Sequence, residues 1–270
     1  MNEIYKKLFE NIRAKKPLIH HITNYVTAND CANITLAVGA SPVMADDIAE
    51  VSDICAISSA LLINMGTLNA HTIESMLTAG KTANRLNIPV VFDPVGVGAS
   101  SLRNKTARKF LNEIKVSVLR GNISEIKFIA GLQSETKGVD ASNRDLTDDT
   151  IPIAKNLSKK LDCVVAITGA VDIISNGEKN VSIKNGHKML SNITGTGCMC
   201  SSLIASFCGA SPKNIFESAI TAISIMGIAG EIAFSKSGGN GNGSFRTALH
   251  DAVSKINAEI FKERVKIYEE

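Results

Sequence analysis

The sequence predicts an α/β fold, a three-layer sandwich in which a mostly parallel central sheet is flanked by helices. Buried-strand patterns such as ALLINMG, IPVVFDP and DCVVAITG alternate with helical patterns along the chain, which is typical of a parallel sheet covered on both faces. Apolar residues make up 44% but aromatic residues only 4%, so the core is built from Ile, Leu, Val and Ala. No linker or fixed-period repeat divides the chain, and we expect one domain spanning residues 1–270.

Helical periodicity and capping residues locate the elements of the N-terminal part. Apolar residues at four-residue spacing predict a helix over residues 2–15. The segment TANDCANITLAVG predicts a helix over 27–39 that begins at Thr27 as N-cap and stops at Gly39. The other predictions here are strands at 17–23 and 60–66, a short strand with its turn at 41–47, and helices at 49–60 and 69–87. Residues 88–100 are predicted as a buried strand that breaks at Asp93-Pro94 into a glycine-rich loop.

Turn signals organise the rest of the chain. Asn122 is the predicted N-cap of a helix over residues 122–131, and period-2 alternation around Asn176-Gly177 predicts a hairpin over 171–186. The other predictions are helices at 104–114, 150–161 and about 195–209, strands at 116–121 and 162–169, a polar surface loop at 132–149, a helix opened by Ser211-Pro212, and a glycine loop at 237–244 before a C-terminal helix.

Composition narrows the class of function. Lys and Arg number 29 against 26 Asp and Glu, a net charge of +3, which is too balanced for a protein that mainly binds the nucleic-acid backbone. The N-terminus lacks the apolar core of a signal peptide. The apolar stretch SAITAISIMGIAGEIAF carries Glu231 and is too short to span a bilayer. We therefore expect a cytoplasmic protein that binds neither nucleic acid nor a membrane.

Six cysteines occur in the chain, and their surroundings favour free thiols. Several lie inside apolar runs such as LDCVVAI, and the chain has no Cys-x-x-Cys pair. Those expected to be inert core thiols are Cys31, Cys55, Cys163 and Cys208. Cys200 is left unassigned, whereas Cys198 belongs to a candidate site.

That candidate site is the glycine-rich turn NITGTGCM. Gly195, Thr196 and Gly197 come directly before an apolar helix, and exposed N–H groups at a helix start form an anion site. Cys198 lies in the first turn of this helix, where the dipole favours a thiolate that can act as a weak base or a nucleophile. The alternative is a tight turn before a buried helix. Neither a G-x-G-x-x-G fingerprint nor a Walker P-loop is present.

Polar residues at the carboxyl ends of predicted strands are the other candidates, because ligands of parallel α/β sheets bind at that edge. Asp93 closes a buried strand and suits Mg²⁺ or a base role, although Asp-Pro also starts turns. Arg120 and Glu125 suit phosphates and a metal-bound water, but Glu125 three residues after an N-cap is equally a capping box. Thr168 ends a further strand, where a plain turn is the alternative.

Seven motifs in order resemble the hydroxyethylthiazole kinase family, a ribokinase-like group. They are HHITNYV, ASPVMA, NMGT, DPVGVGAS, RGNISE, AITGAVD and NGHKMLSNITGTGCM, and the resemblance covers essentially the whole chain, from about residue 17 to 250. The resemblance implies a ribokinase-like fold and ATP-dependent phosphorylation of the hydroxyl of 4-methyl-5-(2-hydroxyethyl)thiazole, in thiamine biosynthesis or salvage. It also implies a homotrimer with active sites between subunits, in which the first-strand region meets the neighbour's 195–198 loop.

The resemblance also assigns roles, residue by residue. Cys198 occupies the position where many ribokinase-like enzymes have an aspartate base. The implied roles are the anion hole for Gly195, Thr196 and Gly197, the thiazole pocket for Met44, Asn24 and Gly195, ATP-phosphate contacts for Arg120 and Thr168, and Mg²⁺ binding for Asp93 and Glu125.

Three other functions stay open. A related kinase would act on a hydroxymethylpyrimidine, a vitamin B6 alcohol or a sugar. A nucleotide-hydrate dehydratase on the same fold would carry Gly-Asp where this chain has Gly197-Cys198. The third alternative is a non-catalytic nucleotide-binding module.

Overall fold

A nine-stranded sheet lies between two layers of helices in the computed structural model, which describes residues 3–132, 146–237 and 239–270. The strands are β1 Leu18–Ile22, β2 Ser41–Met44, β3 Ala60–Asn64, β4 Val90–Asp93, β5 Val118–Asn122, β6 Val164–Thr168, β7 Asp172–Ser175, β8 Asn180–Ile183 and β9 Ile267–Glu269. The helices are α1 Glu3–Lys15, α2 Ala28–Val38, α3 Val51–Ile57, α4 Ala70–Arg85, α5 Ser101–Glu113, α6 Ile123–Ala130, α7 Leu146–Leu161, α8 Thr196–Ala210, α9 Ile215–Ser237, α10 Asn242–Lys255 and α11 Ala258–Arg264, and a 3-10 helix covers Lys188–Asn192.

The sheet has the order β2-β1-β3-β4-β5-β6-β7-β8-β9. Strands β1 to β6 pair in parallel, and β7 to β9 extend the sheet in antiparallel pairing. The predicted mostly parallel sheet is therefore confirmed. Because the parallel strands share one direction, their carboxyl ends and the loops that follow them lie along one edge of the sheet.

Each face of the sheet has its own apolar core. Alternate side chains of β3 divide between them: Leu62 joins one core and Leu61 and Ile63 join the other. The first core packs against α1, α2 and α8 to α11, and the second against α3 to α7. Helices therefore flank the sheet on both sides, as the alternating sequence pattern predicts.

Three predictions near the C-terminus need correction. The helix predicted to open at Ser211-Pro212 begins at Ile215, because residues 211–214 form a turn in which the Asn214 N–H donates to the Ser211 carbonyl. The predicted C-terminal helix is two helices, α10 and α11. No strand is predicted at β9, which has three residues and, among the described residues, pairs with β8 alone.

Two predictions in other loops also change. Thr27 holds the N-cap position of α2, but its side chain makes no capping hydrogen bond and instead donates to Asn24 Oδ1 at 3.0 Å. Within the predicted surface loop 132–149, α7 already begins at Leu146. Residues 133–145 of that loop lie outside the described residues.

Helix α9 is long and apolar enough to cross a membrane by length and composition alone, contrary to the expectation that this stretch is too short. However, 72% of its most apolar window is buried inside the protein. Its position between α8 and α10, in the core on one face of the sheet, accounts for its apolar composition.

Candidate active site

The carboxyl edge of the sheet brings together the ends of five strands and the start of one helix. The polar side chains that meet there are Asn24 after β1, Asn64 at the end of β3, Asp93 at the end of β4, Arg120 in β5, Thr168 at the end of β6, and Cys198 in α8. The edge of the sheet that is predicted to hold a ligand site is thus lined with amide, carboxyl, guanidinium, hydroxyl and thiol groups.

The two glycines of the turn before α8 are needed for different reasons. Gly195 has a φ of +87°, and a Cβ there would lie 2.7 Å from Thr27 Cγ2. At Gly197 a Cβ would lie 2.6 Å from Arg120 Nη1. The glycines therefore allow the turn to pack against α2 on one side and the Arg120 guanidinium on the other.

The start of α8 presents backbone donors to this edge. The first N–H groups of a helix have no intrahelical acceptor, and Gly195 as N-cap has no side chain to cap them. The Arg120 guanidinium lies against the same helix start, at Gly197. Backbone N–H groups at 196–198 and one cation therefore converge, as an anion site requires.

The Cys198 thiol is held by two side-chain amides. Its Sγ accepts from Asn24 Nδ2 at 3.4 Å and from Asn64 Nδ2 at 3.3 Å. Burial, followed by the charge of Asp93, raises the pKa of the thiol above its usual range, although these amide donors act in the opposite direction. Burial therefore outweighs the helix dipole that was expected to favour the thiolate, and the neutral thiol is the favoured form at neutral pH.

The two oxygens of Asp93 have different environments. Oδ2 accepts from Ser201 Oγ at 2.8 Å, Asn64 Nδ2 at 3.0 Å and Arg120 Nη1 at 3.4 Å. Oδ1 is buried and has no hydrogen-bond partner. Burial raises the pKa of this carboxyl, and the Arg120 charge partly offsets that effect. A buried carboxylate oxygen without a donor is a position where a cation fits.

Arg120 joins two strand ends. Its Nη2 donates to Thr168 Oγ1 at 2.6 Å, and its Nη1 forms the ion pair with Asp93. Because Thr168 pairs with Asn122 on the adjacent strand, this bond crosses from β5 to β6 at the edge of the sheet. The structure thus brings together Arg120 and Thr168, which were predicted as phosphate contacts.

Glu125 forms the capping box that is one of its two alternative interpretations, and it also holds the loop after β4. Its Oε2 accepts from the Asn122 N–H at 2.9 Å, which completes a capping box on α6, and its Oε1 accepts from the Gly96 N–H at 2.8 Å. Burial and then the nearby Asp93 charge raise the pKa of this carboxyl. The structural role is therefore present, and the two carboxyl groups are near enough to repel each other when both are charged.

The predicted substrate residues Met44 and Asn24 have different surroundings. Asn24 is buried and uses all of its polar atoms within the protein, since its Oδ1 accepts from Thr27 and its Nδ2 donates to Asn64 and Cys198. Met44 ends the edge strand β2, opposite His21, and is 39% exposed. Met44 therefore borders the same edge of the sheet but stands outside the hydrogen-bonded cluster.

Two residues of the cluster were not singled out from the sequence. Asn64 ends β3 directly opposite Asp93 on β4, and its motif NMGT was noted without a role for the asparagine. Ser201 follows Cys198 by three residues, which places both on one face of α8. Helical spacing could have identified Ser201, whereas the position of Asn64 depends on the strand register.

His187 and Phe234 mark the outer border of this region. Their rings stack with centroids 3.7 Å apart and planes 18° apart. The His187 Nδ1 accepts from the Met189 N–H and so caps the 3-10 helix that leads to the glycine turn. This histidine, which the sequence did not assign, therefore fixes the segment before the turn against α9.

The sequence model of the hydroxyethylthiazole kinase family matches residues 9–259. The chain belongs to this family. It is 61% identical over 274 residues to a hydroxyethylthiazole kinase of Clostridium beijerinckii, with 99% of each chain covered. It is 58% identical over 264 residues to a hydroxyethylthiazole kinase of Ruminiclostridium cellulolyticum, covering 97% of this chain and 96% of the relative.

Solved structures agree with membership of the hydroxyethylthiazole kinase family. The hydroxyethylthiazole kinase protein from Pyrococcus horikoshii superposes with a TM-score of 0.90 at 33% identity, covering 99% of both chains. A pyridoxal kinase from Staphylococcus aureus superposes with a TM-score of 0.67 at 13% identity, covering 94% of this chain and 98% of that one. This second likeness shows that the fold is shared with other small-molecule kinases.

Proposed function

We propose that this protein transfers the γ-phosphoryl group of ATP to the hydroxyl of 4-methyl-5-(2-hydroxyethyl)thiazole, and so supplies the thiazole phosphate of thiamine biosynthesis or salvage. The observation that carries the proposal is the position of the Cys198 thiol. It lies at the start of α8, where unpaired N–H groups, the Arg120 guanidinium and the Asp93 carboxylate converge. Phosphoryl transfer needs such positioning and charge neutralisation more than it needs a strong base.

The residues present fit a Mg²⁺ ion. Asp93 Oδ1 is buried without a donor, and Glu125 lies close enough to Asp93 for the Asp93 charge to raise the pKa of the Glu125 carboxyl. Among the described residues no cluster of three acidic, histidine or cysteine ligands occurs. Asp93 and Glu125 would therefore hold Mg²⁺ together with nucleotide phosphates and water, which is its usual coordination in kinases. When bound, the ion neutralises phosphate charge.

The chain's own groups account for the remaining steps. The N–H groups at 196–198 and the Arg120 guanidinium bind the oxygens of the transferring phosphoryl group, and Thr168 holds Arg120 in place at 2.6 Å. The substrate hydroxyl lies against Cys198, whose predominant neutral thiol orients it; the minor thiolate form is the species that accepts the hydroxyl proton, which leaves late in a loose transition state. A small thiolate fraction is enough for this weak-base role, because the alcohol keeps its proton until bond formation is advanced.

The thiazole ring is proposed to bind near Asn24, Met44 and Gly195, on the β1–β2 side of the thiol. Apolar side chains are unusually exposed around the first two strands, and those with the largest exposure are Tyr25, Leu36, Val26, Met44 and Ile48. Apolar patches of this kind mark ligand or subunit contacts. We infer a homotrimer in which this region covers the 195–198 turn of a neighbour.

An ADP-release assay tests the catalytic proposal. The protein is mixed with ATP and Mg²⁺, with or without the thiazole alcohol, and in parallel with a hydroxymethylpyrimidine, pyridoxal and ribose. We expect ADP release that depends on the thiazole and on Mg²⁺. Release that depends only on another alcohol would favour a related kinase, and ATP binding without release would favour a nucleotide-binding module. A nucleotide hydrate as substrate tests the dehydratase.

Size-exclusion chromatography tests the trimer. We expect the activity to elute at three times the chain mass of 28.7 kDa, and Leu36→Lys to shift the protein to the monomer with loss of activity. An active monomer would contradict active sites shared between subunits.

We also propose that residues 1–270 act as one cytoplasmic domain. One sheet contains strands from both ends of the chain, which supports a single domain.

A further inference from the structure

Asn64 is a buried residue whose amide orientation is fixed by the backbone. Its Oδ1 accepts from the Gly66 N–H at 2.9 Å, and because a backbone N–H can only donate, this atom must be the oxygen. Nδ2 therefore faces the other way, toward Asp93 Oδ2 at 3.0 Å and Cys198 Sγ at 3.3 Å. The single NH₂ group of Asn64 thus donates to a carboxylate and to a thiol.

Every hydrogen-bonding position of this amide is used. Oδ1 also accepts from Asn24 Nδ2 at 2.9 Å, and the second proton of that Asn24 amide is donated to the same sulfur at 3.4 Å. Asn24, Asn64 and Cys198 therefore form a closed triangle of hydrogen bonds. Because fully satisfied buried networks are rigid, the sulfur has little freedom to move relative to the Asp93 carboxylate.

We propose that Asn64 is a positioning residue for phosphoryl transfer, which holds the Cys198 sulfur and the Asp93 carboxylate at a fixed separation through one amide. This inference rests on the proposed function, because it assigns the sulfur to the substrate hydroxyl and the carboxylate to the cation and phosphates. The carboxylate and the sulfur both need a hydrogen-bond donor at the position of Nδ2, since an acceptor at that position would repel both of them.

A purely structural role for Asn64 is a poorer explanation of these contacts. A role in closing the loop after β3 would need only the Oδ1 contact with the Gly66 N–H. Both protons of Nδ2 are instead directed to groups of the active site. The strand register independently places Asn64 opposite Asp93. The contact between these two side chains is therefore set by the pairing of β3 with β4.

Asn64→Asp tests the proposal, because it keeps the Oδ1 acceptor and replaces the NH₂ donor with a second acceptor oxygen that can carry a negative charge. We expect kcat for the thiazole alcohol to fall about 100-fold, as small misplacements of reacting groups do, with KM for the thiazole changing less than about threefold. Independently of activity, the rate of Cys198 alkylation by iodoacetamide at pH 8, measured by peptide mass spectrometry, should fall several-fold, since the sulfur loses a donor and gains a like charge nearby.

Two further variants keep the test decisive. Asn64→Ser removes both N–H donors of the amide and leaves a shorter hydroxyl without adding charge, and it should lower kcat and slow alkylation by less than Asn64→Asp does. Asn84→Asp is the matched control, because Asn84 also forms two hydrogen bonds, to the Lys115 backbone at 2.7 and 2.8 Å, but far from the site. It should lower the melting temperature and leave kcat and Cys198 alkylation unchanged.

The two proposals fail in different ways. If the wild-type protein shows no thiazole-dependent ADP release, the proposed function fails, while the alkylation rates still test the contact between Asn64 and the sulfur. If the wild type is active and folded Asn64→Asp keeps the wild-type kcat and alkylation rate, the positioning role is overturned. Faster alkylation in both Asn64 variants would also overturn it, because Asn64 would then only shield the thiol.

Discussion

At Cys198 two electrostatic effects compete, and their sizes decide the protonation state. A helix dipole stabilises a charge in the first turn by about 0.3–1 kcal/mol, which corresponds to less than about one pKa unit. Burial and the Asp93 charge act in the opposite direction, and they raise the pKa of the thiol. The residue is therefore mainly a neutral group that orients the hydroxyl, and only its minor thiolate form can act as a base.

Cys198→Ala is expected to lower kcat by about 10- to 100-fold, near the low end for proton transfer by a positioned group. The N–H donors at 195–198 and Arg120 remain in the variant, so some activity should persist. Steady-state ADP release checks the prediction, with circular dichroism to confirm folding. Complete loss in a folded variant would contradict the weak-base role, whereas a faster Cys198→Asp variant would support it.

Gly197→Ala should abolish most activity, because its Cβ would lie 2.6 Å from Arg120 Nη1. The guanidinium would have to leave Thr168 or Asp93, and we expect kcat to fall about 100-fold or more, as it does when a charge-stabilising donor is lost. Gly243→Ala is the control, since a Cβ there meets nothing within 4 Å. Equal activity of the two variants in the ADP-release assay would show that Arg120 does not need this space.

The site residues with a charged or thiol side chain could be predicted from the sequence. Asn64, which hydrogen-bonds to two of them, could not. Asp93, Arg120 and Cys198 stand in motifs at strand or helix ends, where chemistry is expected. Asn64 becomes significant only when β3 and β4 are aligned so that it lies opposite Asp93. Short-range patterns carry no information on that register, so the residue was overlooked.

At the scale of elements, the capping box of α6 is also part of the site. One side chain caps the helix through the Asn122 N–H and holds the Gly96 N–H of the loop after β4. The helix start, the loop and the proposed cation site therefore share Glu125. The two interpretations of Glu125 from the sequence, helix cap and cation ligand, do not exclude each other. Glu125 caps α6 from a position that also lies beside the proposed cation site.

Glu125→Gln is expected to lower stability by about 1–2 kcal/mol, since an NH₂ group would face a backbone N–H donor. It should also raise the Mg²⁺ concentration for half-maximal activity. The control is Thr72→Ala, which breaks the capping box of α4 away from the site. Thermal melts and Mg²⁺ titrations of activity separate the two effects. An unchanged Mg²⁺ requirement in Glu125→Gln would leave only the capping role.

Element prediction failed where tertiary contacts decide the outcome. The hairpin of β7 and β8 follows from its turn signal, but β9 has three residues and is a strand only because β8 offers a free edge. Likewise, α9 begins beyond Pro212, where the preceding residues close a turn instead. Boundaries of this kind depend on partners far along the chain.

For the whole molecule, the layer architecture was the most predictable feature. Strands that are apolar on both faces, such as ALLIN, require cover on each side, and the two cores supply it. The strand order and the antiparallel pairing of β7 with β6 were not predictable from such patterns. They depend on how crossovers pack, which the hydrophobic periodicity of a single strand does not encode.

Asp172 links global stability to pH. Burial raises the pKa of its carboxyl to about 7, so the protonated form is favoured in the folded protein. The associated stability is present below the unfolded pKa near 4 and is lost as pH rises through about 7. Asp172→Asn, which retains the acceptor for the Gly169 N–H, should therefore gain roughly 2–4 kcal/mol over the wild type by pH 8.

Melting temperatures of both proteins between pH 4 and pH 8 check this prediction. The difference between Asp172→Asn and the wild type should grow with pH across that window. Asp162→Asn is the control, because Asp162 is 88% exposed and its surface ion pair contributes little. A difference for Asp172→Asn that stays constant with pH would contradict the prediction.

The stacked pair of His187 and Phe234 is a suitable position for a fluorescence probe. The chain contains no tryptophan, so Phe234→Trp would create a single emitter whose indole rests on the His187 ring. Its fluorescence would report whether the segment before the glycine turn stays on α9 when nucleotide or thiazole is added. Stopped-flow measurements of this emission would time any movement of the segment on ligand binding without an attached dye.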